Sequence, residues 1–374
     1  MGATETYSRG VRFAVERPGT VILAVAMALL SLDLLMKLLG MELFFLGVKL
    51  LGGSIGTDAF GTVLLDGLTV GVSVGLAGIG LSMTYSILSF ANFAHGDTLT
   101  AGAFMGWVVA FGLAGLLGAT GDVTPGTLVL LEATPEIGII RTPLIVVVGM
   151  VAAGVAAVGL SLLLDRIVYR PLRSADGISL LIASIGVALA LRYLIAFVFQ
   201  TSSKSVTSTP LQVTLLGQIS MSGNQFFLLV VGAGLMLGVH VLLQYTKLGK
   251  AMRAMADNQD LARVTGIPTE RIVRLTWIIG GGLTGVAGFL IGLERGVVIF
   301  NFGWLLLLLI FAAVILGGIG SIYGAMVGGI VVGVVQAMSQ IWIPSELTRA
   351  AAFVVLIVVL LVKPDGIFGG VTTA

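Results

Sequence analysis

The polar side chains best placed to do chemistry are Asn92, His95 and Asp97, which lie together between two long apolar runs. Polar and ionisable groups are costly close to a bilayer, so such a cluster is a candidate functional site. Asn92 can exchange hydrogen bonds with the ammonium or carboxylate of a solute, and His95 can also change its charge near neutral pH. The alternative is structural: Asp97 would cap a helix beginning near Thr98, and His95 would hold a turn through backbone hydrogen bonds.

A glycine-rich turn, Gly317–Ser321, interrupts a second apolar region. The break could direct backbone carbonyls and amides toward a transport pathway, as discontinuous helices do in transporters. It could equally let two helices pack closely. The substrate pathway predicted from these two regions comprises Asn92, His95, Gly96, Gly317, Gly318, Gly320 and Ser321.

The segment 250–267, KAMRAMADNQDLARVTGI, is polar but carries apolar residues at helical spacing. We predict a short amphipathic helix that is ended by Gly266 and Pro268, since both residues break helices. A helix with an apolar face outside the membrane fits a groove on a partner protein. A helix lying in solvent or on the membrane surface would show the same pattern, because amphipathicity does not identify the partner.

The composition indicates which solvent surrounds these elements. Of 374 residues, 57% are hydrophobic and 10% are charged, and the mean hydropathy is +1.11. A soluble domain carries about 25% charged residues, so much of this chain must face lipid. The chain has no cysteine and two histidines, which excludes disulfides and argues against a metal site. No basic run is long enough to bind nucleic acid, and we expect no cofactor.

Apolar runs of about 20 residues are needed to cross a bilayer as helices. The runs that could do so are 18–39, 62–86, 100–118, 144–164, 178–199, 226–245, 272–293, 304–316, 321–341 and 349–362. The eighth and tenth runs are short, and a glycine-rich break at 317–320 separates the eighth run from the ninth. The predicted fold is therefore all-α: a polytopic transmembrane helical bundle of about eight to ten spans, including broken or re-entrant helices.

Lysine and arginine are concentrated in two loops, 165–174 and 246–274. Because positively charged loops stay in the cytoplasm, both loops are predicted on the cytoplasmic side. Two predicted spans lie between them, and an even number of spans returns the chain to the same side of the membrane. Tryptophan is enriched at membrane interfaces, and we expect an interfacial position for Trp107, Trp277, Trp304 and Trp342.

Several short blocks carry a family resemblance. Residues 92–96 read Asn-Phe-Ala-His-Gly, residues 169–173 read Tyr-Arg-Pro-Leu-Arg, and residues 362–369 read Val-Lys-Pro-Asp-Gly-Ile-Phe-Gly. With the segment 254–267 and the glycine-rich turn, these blocks resemble the LivH-type permeases of the branched-chain amino acid ABC transporter family. They run in family order from about residue 66 to residue 369. The first 60 or so residues have no clear counterpart.

One of these blocks also resembles a more general motif. Residues 260–266, Asp-Leu-Ala-Arg-Val-Thr-Gly, are similar to the EAA-x-x-x-G loop of ABC importer permeases, which docks in a cleft of the ATPase subunit. Asp260 replaces Glu and Leu261 replaces Ala in that pattern. The resemblance implies an ATPase-coupling helix with the following residues: Arg253, Met255, Asp257, Asp260, Leu261, Ala262 and Gly266.

The family resemblance implies a function and a set of partners. The chain would be the transmembrane permease subunit of an ATP-driven ABC importer, which translocates branched-chain amino acids across the cytoplasmic membrane of a prokaryote by alternating access. It would pair with a second permease subunit, identical or related, with two cytoplasmic ATPase subunits and with an extracytoplasmic solute-binding protein. Residues 62–369 would form the permease domain, and residues 1–61 an N-terminal extension with an added transmembrane helix.

Other functions are compatible with parts of the sequence. The chain lacks the G-x-x-x-x-G-K-[ST] motif, so ATP hydrolysis is expected on a separate subunit and this chain is not expected to be an enzyme. Members of the same family are associated with urea or short amides. An ion-coupled secondary transporter is a further alternative. Two G-x-S-x-G matches, at 52–56 and 71–75, would fit an intramembrane serine protease only in a strand–turn–helix setting, which the sequence does not indicate.

Overall fold

The computed structural model describes residues 18–45, 48–116, 137–173, 175–207, 212–215 and 219–369. The described part begins with helix α1 (Pro18–Leu38), followed by a hairpin of strands β1 (Glu42–Phe45) and β2 (Val48–Gly52). The following helices are α2 (Thr57–Leu88), α3 (His95–Leu116), α4 (Pro143–Leu164), α5 (Gly177–Phe199), α6 (Gly223–Tyr245), α7 (Lys247–Asp257), α8 (Gln259–Val264), α9 (Thr269–Arg295), α10 (Phe302–Gly317), α11 (Ile322–Met338) and α12 (Thr348–Val362).

Short elements connect these helices. A π-helical turn (Asp165–Tyr169) and a 3₁₀ turn (Arg170–Leu172) extend α4. The remaining strands form two antiparallel pairs: β3 (Lys204–Ser205) with β6 (Val297–Val298), and β4 (Gln212–Leu215) with β5 (Ile219–Ser222). Two further 3₁₀ turns, Ser339–Ile341 and Ser345–Leu347, link α11 to α12.

The helices have the length and composition of membrane spans. Within the described residues, eight helices are long and apolar enough to cross a membrane: α2, α3, α4 with its extension, α5, α6, α9, α11 and α12 with their adjoining 3₁₀ turns. Helix α10 is also apolar but has 16 residues. Each of the ten apolar runs found in the sequence contains a helix. The prediction of a polytopic helical bundle with broken helices is therefore confirmed.

Helix α2 forms the centre of the bundle. It contacts α6, α9, α10 and α11, and every residue from Gly71 to Thr84 is buried. Its packing against α11 depends on glycine, because a Cβ atom on Gly329 would overlap the backbone of Gly75, and one on Gly333 would overlap Gly71. Small residues allow such close helix approach in membranes. The glycine content of the chain thus has a packing function at this interface.

Helix α3 begins inside the bundle rather than at its end. His95, its first residue, has its Nε2 atom 2.8 Å from the carbonyl oxygen of Ala77. Ala77 lies about 16 Å along the axis of α2 from Leu88, at the helical rise of 1.5 Å per residue. The connection 89–94 therefore turns back from the end of α2 into the bundle. Helix α10 also begins there, since Gly303 donates its backbone N–H to Thr100 Oγ1 of α3 at 3.1 Å.

Two details differ from the sequence-based expectations. The segment 250–267 forms two helices instead of one, because Asn258 ends α7 and caps α8, its Oδ1 accepting the Leu261 N–H at 2.9 Å. Trp107 and Trp277, which were expected at the membrane interface, have their side chains buried inside the bundle, with 2% and 3% exposed. Each indole N–H donates instead to an internal acceptor, Trp107 to the Ser205 carbonyl and Trp277 to a carboxylate of the α4 extension.

Candidate functional site

Asn92 lies in the connection between α2 and α3 and is 3% exposed. Its Oδ1 atom accepts two hydrogen bonds at 3.1 Å, one from the backbone N–H of Ala94 and one from the Tyr169 hydroxyl. The first bond forms a local turn that leads into α3. In this conformation Asn92 therefore joins the helix connection to the α4 extension, and its predicted contact with solute stays a prediction.

His95 and Gly96 form the first turn of α3. The His95 ring is buried between α2 and α9, with Nε2 near the Ala77 carbonyl and 3.4 Å from Thr284 Oγ1. Gly96 is in direct backbone contact with Gly303, where a Cβ atom on either residue would overlap the other chain segment. The first turns of α3 and α10 thus meet inside the bundle, as the half-helices of transporters do around their substrates.

Asp97 does not cap the helix, contrary to the structural alternative, because α3 already begins at His95. Its carboxylate forms a two-point ion pair with Arg192 of α5, with Nη2–Oδ2 at 2.9 Å and Nε–Oδ1 at 3.1 Å. The Arg192 guanidinium also lies 4.2 Å from the centre of the Trp304 ring. Arg192 was not among the sequence-predicted residues. A single arginine within the apolar run 178–199 was the available signal, since an intramembrane charge marks a functional position by default.

The glycine-rich turn between α10 and α11 is hydrogen-bonded to residues 363–369, which we call the C-terminal segment. The backbone N–H groups of Ile367 and Phe368 donate to the carbonyls of Leu316 and Gly317 at 2.8 and 2.9 Å. The Gly318 carbonyl accepts the N–H of Ser321 at 3.0 Å. These bonds occupy carbonyls that would otherwise be free at the end of α10.

The predicted pathway residues of this turn have structural contacts in this conformation. Ser321 caps α11 by accepting the Gly324 N–H, while Gly317 packs directly against Gly324. Gly320 lies beside Tyr85 and Ser86, near the end of α2. The turn is therefore a packed junction of three segments, and its contact with solute stays a prediction. It does not meet the first turn of α3, which lies further inside the bundle.

Residues 257–266 form an exposed tip at one end of the bundle. Within this exposed tip only Ala262 is buried, while Leu261 and Val264 are 59% and 80% exposed. The tip follows directly from α7, which packs against α2, α6 and α9 through residues such as Met255. The tip thus has exposed apolar side chains, and buried apolar side chains pack it against the bundle.

The predicted coupling residues divide between these two surfaces. Asp257, Asp260, Leu261 and Gly266 are exposed on the tip. Met255 and Ala262 are buried within the chain at 2% and 3% exposure, so they connect the tip to the bundle. Arg253 is half-buried and donates to Gln244 Oε1 of α6 at 3.3 Å.

The structure also bears on the alternative chemistries. Ser54 follows β2 and precedes α2, so the strand–turn–helix setting that the sequence did not indicate does exist at 52–56, whereas Ser73 lies within α2. Both histidines are engaged elsewhere, His95 with Ala77 and His240 with the Tyr323 hydroxyl at 3.0 Å. No serine–histidine pair suited to nucleophilic catalysis occurs among the described residues.

The described residues contain no cluster of three or more histidine, aspartate or glutamate side chains that could hold a metal ion.

Comparison with known proteins shows a consistent similarity. Residues 63–360 match the family described as branched-chain amino acid transport system / permease component. The LivH permease protein of the high-affinity branched-chain amino acid transport system of Salmonella typhimurium is 30% identical over 82% of this chain and 94% of its own. The corresponding BraD protein of Pseudomonas aeruginosa gives the same values. A probable LivH permease of Methanocaldococcus jannaschii is 29% identical over 86% of this chain and 96% of its own.

No solved structure gives a significant match. The family match covers most of the chain and includes the α2–α3 connection, the α4 extension, the exposed tip and the glycine-rich turn. It ends before the C-terminal segment that closes that turn. The named relatives are permease components of transport systems and not enzymes. This multi-pass membrane protein belongs to the family of permease components of branched-chain amino acid transport systems.

Proposed function

We propose that the protein is the permease subunit of an ATP-driven ABC importer that moves branched-chain amino acids across the cytoplasmic membrane by alternating access. The observation that carries this proposal is the exposed tip, 257–266, which presents Leu261 and Val264 outside the bundle. Exposed apolar side chains on a short helix fit a groove on another protein. The chain lacks a P-loop motif, so the energy source would be a separate ATPase subunit.

The basic residues around the tip support a cytoplasmic orientation for it. Arg173 of the first basic loop donates to Glu270, which lies within the second basic loop, at 2.9 and 3.0 Å. Both basic loops therefore lie at the same end of the bundle. Since the positive charges of short loops remain in the cytoplasm, this end would face the cytoplasm, where the proposed ATPase subunits would bind.

The remaining partners come from the same proposal. A second permease subunit, identical or related, would complete the membrane part, and two cytoplasmic ATPase subunits would bind the two exposed tips. An extracytoplasmic solute-binding protein would deliver the amino acid to the opposite end. Residues 62–369 would form the permease domain, with residues 1–61 as an N-terminal extension that adds a transmembrane helix.

Uptake into proteoliposomes that contain the permease, its ATPase subunits and the binding protein tests this function. We expect leucine uptake to require ATP and to persist with a protonophore. Val264→Ser removes an apolar side chain from the tip and should lower uptake about tenfold, as loss of an interface hot spot does. The matched control is Val230→Ser, the same substitution at a side chain that is 54% exposed within α6 and away from the tip, and it should leave uptake unchanged.

Three results would contradict the proposal in whole or in part. Uptake that collapses with the protonophore and survives without ATP would indicate an ion-coupled secondary transporter. Equal uptake by the Val264→Ser and wild-type proteins would remove the role assigned to the tip. Competition by urea or short amides, without competition by leucine, would retain the importer and change its substrate.

A further inference from the structure

A continuous set of side-chain contacts joins the start of α9, next to the exposed tip, to the connection between α2 and α3. We name it the Asp165–Trp277 network; its members are Glu270, Arg173, Asp165, Trp277, Tyr169 and Asn92. The network lies in three separate parts of the chain. Two of its members, Tyr169 and Arg173, are the first and last residues of the Tyr-Arg-Pro-Leu-Arg block, to which the sequence assigned no role.

The half of the network nearer the tip consists of charges. Arg173 donates from Nη1 to both carboxylate oxygens of Glu270, at 2.9 and 3.0 Å. Its Nη2 donates to both oxygens of Asp165, at 2.6 and 2.8 Å. A planar guanidinium that donates hydrogen bonds to two carboxylates fixes their orientation as well as their distance. The Glu270 side chain is 63% exposed, whereas those of Arg173 and Asp165 are 19% and 13% exposed, so the network runs from the surface inward.

The inner half consists of aromatic rings and one amide. Trp277 donates its Nε1–H to Asp165 Oδ1 at 2.9 Å, and its ring lies parallel to the Tyr169 ring at a centroid distance of 5.3 Å. The Tyr169 hydroxyl then donates to Asn92 Oδ1, the same atom that forms the turn leading into α3. Trp277, Tyr169 and Asn92 are each 3% exposed or less.

This arrangement resists internal rearrangement. Asp165 accepts from both Arg173 and Trp277, and losing either donor would leave a largely buried carboxylate short of partners, which is costly. The π-helical turn that carries Asp165 and Tyr169 is itself a rare conformation found at functional positions. A displacement of the first turn of α9 must therefore carry the α4 extension with it or break these contacts.

We propose that the Asp165–Trp277 network transmits a displacement of the exposed tip to the connection 89–94, with Tyr169 and Trp277 as its positioning residues. Only four residues separate the end of α8 from the start of α9, so a partner that moves the tip also moves Glu270. The connection 89–94 in turn sets where α3 begins inside the bundle. The inference rests on the proposed function, because it requires a separate protein that moves the tip.

Conservative variants at the two ends of the network test the proposal in the complete reconstituted transporter. Tyr169→Phe removes the hydroxyl that reaches Asn92 but keeps the ring that stacks on Trp277. Glu270→Gln changes a largely exposed residue and leaves no buried charge unpaired. The readout is the number of solute molecules transported per ATP hydrolysed. If the residue only stabilised the fold, its loss would lower transport and ATP hydrolysis together, and this ratio would not change. The matched control is Tyr193→Phe, since the Tyr193 ring is 69% exposed on α5.

We expect each end variant to lower the transport ratio about fivefold, the lower range of coupling between distant sites, while ATP hydrolysis continues. Both changes interrupt one series of contacts. The transport ratio of the double variant should therefore be no lower than that of the single variant with the lower ratio. An unchanged ratio in either single variant would overturn the proposal, as would a double loss equal to the product of the single losses. Failure of the proposed function is a different result, in which the wild-type protein shows no ATP-dependent uptake.

Discussion

Arg192 holds Asp97 in a two-point ion pair inside the bundle, at 2.9 and 3.1 Å, with the Asp97 carboxylate fully buried. The pair joins α3 to α5, a helix with many side chains on the outer surface of the bundle. Each charge makes the other tolerable in an apolar environment, and the Trp304 ring beneath the guanidinium adds a cation–π contact. The ion pair thus fixes a peripheral helix next to the first turn of α3.

Removing one partner of this ion pair should lower the free energy of unfolding more than removing both partners. Arg192→Met leaves the Asp97 carboxylate buried and unpaired, and we expect a loss of about 3–5 kcal/mol in the free energy of unfolding. The double variant Asp97→Leu/Arg192→Met should lose less. Unfolding of the purified protein in detergent measures both. The control Arg263→Met removes an exposed arginine whose pair with Asp260 spans 3.9 Å, and it should change stability by less than about 1 kcal/mol. A double variant as unstable as the single one would contradict this account.

The contact between α2 and α11 predicts which glycines tolerate a methyl group. Gly329→Ala places a Cβ atom against the backbone of Gly75, and the overpacking should cost about 1–3 kcal/mol. Gly186→Ala on α5 is the control, because a Cβ atom there meets nothing within 4 Å. Thermal unfolding in detergent compares the two variants. Equal midpoints for Gly329→Ala and the wild-type protein would show that this helix contact is looser than described.

The C-terminal segment should depend on Gly366. This residue has a φ of +79°, and a Cβ atom on it would lie 2.6 Å from the Gly318 nitrogen. Gly366→Ala should therefore cost about 1–2 kcal/mol from the left-handed backbone alone and detach the segment from the end of α10. Carboxypeptidase digestion then should shorten the variant faster than the wild type. Gly234→Ala, where a Cβ atom has open space, serves as the control, and identical digestion of all three proteins would argue against the closure.

The membrane-spanning helices could be predicted from the sequence, for a physical reason. Lipid requires long apolar runs, so composition along the chain is enough to place the helices. The break in the segment 250–267 was also readable, since Asn258 stands at a position suited to cap a helix.

The partners of individual side chains could not be predicted in this way. Arg192 and Asp97 are 95 residues apart in the chain, and Trp277 and Asp165 are 112 apart. Hydropathy identifies neither pair, because it describes how a helix meets lipid and not which neighbouring helix it meets. For the same reason hydropathy does not show that Trp107 and Trp277 are buried. A lone charged residue in an apolar run was the clearest sign that a partner existed.

The exposed tip is proposed to face the cytoplasm and to bind the ATPase subunit, and introduced cysteines test both points. The chain has no cysteine, so each variant carries a single thiol. Val264→Cys lies on the tip, and Glu346→Cys is exposed at the opposite end of the bundle. In intact cells a membrane-impermeant thiol reagent should label Glu346→Cys and not Val264→Cys, while a bifunctional reagent in inverted vesicles should cross-link Val264→Cys to the ATPase subunit. Labelling of Val264→Cys from outside intact cells would contradict the account.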